Sequence, residues 1–220
     1  MESSAPSPSR EVVLSRIRAA LSPQKDALPS AEASWLEIPR GYVSSGDLPA
    51  TAILELLTDR LRDYDVQVLH AGRSGVTHAV AKLLTARRAD TMLIPAGFPQ
   101  ILLPEGFTYI LDEELLPTLL DGCSGIITTC TLAIAETGTI VLQNAPGQGR
   151  RAASLVPDYH LCIIEAEQVV ATVPEGIRAL LPTAKLPTTF ISGPSATADI
   201  EMTRIKGVHG PRFLDVILIA

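Results

Sequence analysis

The sequence predicts an α/β domain built on a mainly parallel sheet, and three observations carry that prediction. Short apolar runs alternate with amphipathic helical stretches along most of the chain, the order expected of βαβ units. Most of those runs are continuously apolar rather than alternating, as in strands covered on both faces. Apolar residues make up 46% of the 220 residues and charged ones 19%, which suits a compact core.

The elements follow in order. Residues 1–9 are rich in Ser and Pro and are expected to be disordered. Ser9 can cap a helix running to Leu21, with Val13, Leu14, Ile17 and Leu21 on one face. Residues 22–49 mix Pro, Ser and Gly with few apolar side chains and read as a long connection. The chain is therefore divided into an N-terminal helix with a flexible connection (residues 1–48) and one α/β domain (residues 49–220). A helix over 51–64 places Ile53, Leu54, Leu57 and Leu61 at helical spacing.

From there strands are predicted at 65–69, 91–95, 108–111, 125–129, 138–142, 160–164, 189–192 and 214–219. Helices are predicted at 76–87, 113–120, 131–135 and 169–181, with a turn at 97–103. Between the last two strands, a loop followed by a helix is expected. Folds of this kind bind ligands beyond the carboxyl ends of the strands.

Composition excludes several function classes. A net charge of −6 argues against nonspecific nucleic-acid binding, which rests on clustered Lys and Arg. The few large aromatics, Trp35, Phe98, Phe107, Phe190 and Phe213, offer no stacking platform for single strands. Cys123, Cys130 and Cys162 form no metal-binding spacing. They read as buried reduced thiols of a cytoplasmic protein. No iron–sulfur cluster is expected in this chain, since one needs about four ligands at recognisable spacing. The longest uncharged stretches, 91–104 and 122–135, hold fourteen residues each, short of the roughly twenty a membrane-spanning helix requires.

Four segments at strand ends could carry chemistry. In the first, Glu136 stands beside Thr137 and Gly138. A buried carboxylate there would have a raised pKa and could act as base or nucleophile; alternatively it holds a turn through backbone amides. In the second, Gly147 and Gly149 free backbone amides beside Arg150 and Arg151, whose forks suit carboxylate or phosphate. Neither GxxxxGK[ST] nor GxGxxG is present, and a solvated glycine-rich turn fits the segment equally well. The third places His160 at a strand start, as a structural imidazole or a catalyst. The fourth, Ser192-Gly-Pro-Ser-Ala-Thr197, precedes an expected helix whose first amides, with Ser195 and Thr197, would suit an anion. Gly207-Val-His-Gly-Pro-Arg212 adds His209 and Arg212. Together these residues predict a pocket for a small carboxylate or phosphate, with Glu136 and His209 as candidate catalytic groups.

The strings Ala133-Ile-Ala-Glu-Thr-Gly-Thr-Ile-Val-Leu142, Phe190-Ile-Ser-Gly-Pro-Ser195 with Thr197-Ala-Asp-Ile-Glu201, and Gly207-Val-His-Gly-Pro-Arg212 occur in this order in one family. By them the chain closely resembles the lactate utilization protein C family (the LUD domain), over most of its length from about residue 50. It departs at Ala196, where many relatives carry a basic residue. The resemblance implies a fold similar to that of sugar-phosphate isomerases, CoA transferases and formyltetrahydrofolate cyclo-ligase. It also implies a part in organic-acid metabolism, the oxidation of L-lactate to pyruvate. Two companion proteins would carry the iron–sulfur clusters, with no cofactor on this chain. Two other readings stand beside it. One is a stand-alone isomerase or acyl/CoA-transferase-like enzyme using Glu136, with Arg150, Arg151 and Arg212 holding a phosphate or CoA. The other is a scaffold that contacts partners through its N-terminal helix.

Overall fold

The computed structural model describes residues 8–21, 30–197, 205–206 and 210–220. Residue contacts divide the chain into two compact units, Met1–Tyr42 and Val43–Ala220. In the first, α1 spans Pro8–Ala20 and α2 spans Ala31–Glu37. The expected long connection therefore contains a helix. Ser30 caps it, its hydroxyl accepting from the Ala33 amide at 3.1 Å.

The second unit opens with α3 (Ala50–Asp63), β1 (Gln67–Ala71), α4 (Val76–Arg87) and β2 (Thr91–Pro95). There follow β3 (Thr108–Asp112), α5 (Pro117–Asp121), β4 (Gly125–Thr128), β5 (Leu132–Ile134) and β6 (Thr139–Leu142). Next come α6 (Arg151–Leu155), β7 (Tyr159–Glu165), β8 (Val169–Val170), α7 (Val173–Leu180) and β9 (Thr189–Ile191). The chain ends with β10 (Ala196–Thr197), β11 (Ile205–Lys206) and β12 (Phe213–Ile219).

The central sheet has the order β1-β12-β7-β4-β2-β3, and every neighbouring pair in it is parallel. This is the α/β architecture the apolar runs predicted. Its middle strands are buried almost throughout. One face packs on α4 through Val80, Leu83 and Leu84 against Leu161, Ile163 and Ile217. The opposite face receives Leu57 and Leu61 of α3 together with Ala133, Ile140 and Leu142 of a second sheet. That sheet, ordered β8-β5-β6-β9, is antiparallel except where β5 meets β8.

Four local expectations change. Residues 131–135 are not a helix; Leu132–Ile134 is β5, fully buried and paired on both edges with β6 and β8. A short run with four apolar residues, Leu132–Ala135, suits either state, and the available strand partners decided it. The helix expected at 169–181 starts only at Val173, because Val169–Val170 pairs with β5. Thr172 then caps it in a reciprocal arrangement with Glu175. The helix expected over 113–120 begins at Pro117, after Glu114 takes a positive φ of 59°. Directly after Ser195 the chain is a strand, Ala196–Thr197, paired antiparallel with Ile205–Lys206; residues 198–204, where the expected helix would continue, lie outside the described residues.

Candidate functional site

A cleft of about 300 Å3 lies against the central sheet, lined by Arg151, Ser154, His160, Ser192, Ser195 and Leu214 among others. One wall is the chain leaving β9, from Phe190 to Ala196; the other comes from Gly210–Pro211, leading into β12. The two walls are joined by the Ser195 amide, which donates to the Pro211 carbonyl at 2.9 Å. His160 and Leu214 are each the second residue of their strand and face each other in register. The cleft thus lies toward the amino ends of β7 and β12, whereas ligand sites were expected beyond the carboxyl ends. The wall is the connection that feeds β12, so it finishes where β12 starts.

Gly193 makes the first wall possible. Its φ is +82°, and a Cβ there would sit 2.7 Å from the Tyr64 side chain, so the chain turns tightly against α3's end only with glycine. Next to it, Ser192 is tied into the second sheet by a chain of hydroxyls. Thr137 Oγ1 lies 2.7 Å from Thr139 Oγ1, which lies 2.8 Å from Ser192 Oγ. The Glu-Thr-Gly-Thr string thereby reaches the cleft through Thr139.

The cleft's charge is simple. Arg151 forms no ion pair with a carboxylate among the described residues and is the only charged side chain among the described lining residues. His160 is 1% exposed, with Nε2 2.7 Å from Thr128 Oγ1. Burial pushes its pKa down to about 4, helped by the positive charge of Arg151. At neutral pH the imidazole is uncharged. The arrangement offers one cation, hydroxyls and a neutral ring nitrogen system beside apolar wall, which suits an anion carrying a further polar group.

Of the predicted site residues, Arg151, His160 and Ser195 line this cleft, with Ala196 beside them. His209 lies outside the described residues, and of Thr197 only the backbone pairing is described. Thr137 is one hydroxyl removed, through Thr139. Gly138, at φ +60°, packs a would-be Cβ 2.9 Å from Arg60 Cβ and shapes the turn on α3. Glu136 is exposed on that turn; its carboxylate accepts from the Val173 amide at 3.4 Å. It does not line the cleft.

Gly147, Gly149 and Arg150 belong elsewhere. The Gly147 amide donates to the Ala96 carbonyl at 2.8 Å. Gly149 and Arg150 line a separate depression of about 370 Å3 at the carboxyl ends of β2 and β3. There Arg150 donates from Nε and Nη2 to both oxygens of Asp112 at 2.9 and 3.0 Å, and from Nη2 to the Leu115 carbonyl at 2.6 Å. The pair holds the guanidinium charged, and its fork is occupied. Arg212 is likewise engaged: its Nε lies 2.7 and 2.8 Å from the Asp158 oxygens, and the guanidinium lowers the pKa of that carboxyl.

Three features had weak sequence signals. Thr139 and Ser192 sat in segments read for their neighbours, and their contact spans 53 positions. Asp215, 0% exposed, interrupts an apolar strand and is matched by Arg87 at 2.9 and 2.6 Å. Arg87 also lies over the rings of Phe213 and Tyr159. A lone charge inside a strand pattern was the available clue.

The three cysteines are buried and unbridged. Among the described residues, no cluster of His, Cys, Asp or Glu could hold a metal ion, and no helix is long and apolar enough to cross a membrane.

Comparison with known proteins places these features in context. A model of the LUD domain matches residues 112–219, the stretch that holds every described residue lining the cleft. A lactate utilization protein C of Deinococcus radiodurans is 41% identical over 182 residues, covering 81% of this chain and 84% of that protein. Its counterpart in Shouchella clausii is 43% identical over 90 residues, 39% of each chain. The crystal structure of a DUF162 family protein from Deinococcus radiodurans is similar with a TM-score of 0.70 at 37% identity, covering 79% of this chain and 99% of that one.

Proposed function

The chain belongs to the LUD domain family, and on that premise we propose that it serves lactate utilization by binding a small carboxylate in the cleft beside β9. In this reading it works in the oxidation of L-lactate to pyruvate together with two iron–sulfur companion proteins. The companions' clusters would accept the two electrons that leave lactate on its oxidation, and this chain would hold the acid.

The observation that carries the reading is the state of Arg151. Arg87, Arg150 and Arg212 each have a carboxylate across their fork, and Arg151 has none among the described residues. A guanidinium at a cleft without a protein counter-ion is suited to pair with a ligand carboxylate. Ser192 and neutral His160 line the same cleft, and in this reading they meet the ligand's second oxygen. The names of the relatives, lactate utilization protein C, support the choice of acid. The isomerase or transferase reading needs Glu136 at the reacting atoms, and that residue stands on an exposed turn outside the cleft.

Titration calorimetry of the purified chain with L-lactate and pyruvate tests the binding. Wild type is expected to bind both, and Arg151→Gln to bind at least about tenfold more weakly, the loss of roughly 1.5 kcal/mol or more from a charge-assisted pair. Reconstitution tests the system: lactate-dependent electron transfer by the two companions should fall when this chain is omitted. Unchanged transfer would remove its direct role.

A further inference from the structure

The cleft has more room than a three-carbon acid requires, and apolar side chains form part of its wall. About 300 Å3 is the lower range of sites that enclose drug-sized molecules. Phe190, Ile191, Pro194, Pro211 and Leu214 line it, and Ala196 adds a methyl group. We infer that the cleft takes 2-hydroxy or 2-oxo monocarboxylates whose side chain is apolar and longer than the methyl group of lactate, an inference that rests on the carboxylate reading above.

Three features select that class. A single charged side chain, Arg151, is present among the described lining residues, which balances one carboxylate. A dicarboxylate or phosphate would leave charge uncompensated in a half-enclosed site. The other polar side chains among the described lining residues, the hydroxyls of Ser154, Ser192 (held by Thr139 at 2.8 Å) and Ser195 and the imidazole of His160, are uncharged at neutral pH. They suit a hydroxyl or carbonyl oxygen at the carbon next to the carboxylate. The apolar part of the lining, from Phe190, Ile191, Pro194, Pro211 and Leu214, favours alkyl groups removed from water.

Calorimetry of the full chain with a homologous series provides the test: L-lactate, then the 2-hydroxy acids of four, five and six carbons, then the corresponding acids lacking the hydroxyl, and malate. Each added methylene is expected to tighten binding about threefold to fourfold. Each 2-hydroxy acid should bind several-fold tighter than its deoxy counterpart, and malate should bind more weakly than any of the monocarboxylic hydroxy acids. If lactate binds but affinity is flat or falls with chain length, the inference is overturned and the carboxylate reading stands. Equal affinity for hydroxy and deoxy acids, or tighter binding of malate, also overturns it. Binding of none of these acids overturns the carboxylate reading itself, and the inference with it.

Discussion

Replacing His160 by Gln should flatten the acid limb of this protein's stability. The imidazole is 1% exposed, and its pKa falls from 6.5 to about 4 through burial and the charge of Arg151. Between those values the unfolded chain binds a proton that the folded chain refuses. Stability therefore rises with pH in this window: the contribution is fully present above about 6.5 and is lost as pH falls toward 4. The linkage relation puts the loss between pH 7 and pH 5 at about 2 kcal/mol, or roughly 4–8 °C in Tm for a chain of this size. Glutamine does not titrate, and its amide can still bond the Thr128 hydroxyl that lies 2.7 Å from Nε2. Urea unfolding of both proteins at pH 7, 6 and 5 is the assay. The substitution leaves every other titratable group in place, so the difference in slope isolates His160, whatever constant offset the substitution adds. Parallel curves over that range would refute the argument that burial keeps this ring neutral.

Other substitutions probe separate parts of the fold. Arg87→Ala leaves Asp215 fully buried without its guanidinium partner, and denaturant unfolding should register a loss of about 3–5 kcal/mol. Replacing both residues by Leu should recover much of it. Thr139→Val breaks the hydroxyl chain to Ser192; it should cost about 1 kcal/mol and weaken lactate binding, while Thr139→Ser restores both. Gly193→Ala forces a side chain into a positive φ, 2.7 Å from Tyr64. A loss of about 1–3 kcal/mol in thermal unfolding is expected, together with weaker ligand binding.

The chemistry was less legible than the fold. Arg150 and Arg151 are adjacent and indistinguishable by type, yet one is clamped by Asp112, 38 positions away, and the other lines the cleft. Nothing local marks that difference, because it depends on which strand end each side chain meets. Glu136 drew attention as a carboxylate beside glycine, and its exposure follows from where the β5–β6 turn projects. His160 could be read as a strand-start imidazole, but its neutrality depends on burial in the folded domain and on the charge of Arg151.

Periodicity and breakers in the sequence by themselves determined the α/β class and the positions of most strands, because buried parallel strands must be apolar on both faces. The ordered strings around Glu136, Ser192 and Gly207 determined the family. Tertiary structure alone decided that residues 132–134 would be strand, that a second sheet would cover one face, and that the cleft would open toward the amino ends of β7 and β12. Each of those outcomes is a pairing between distant segments, and its energy exists only once both partners are in place.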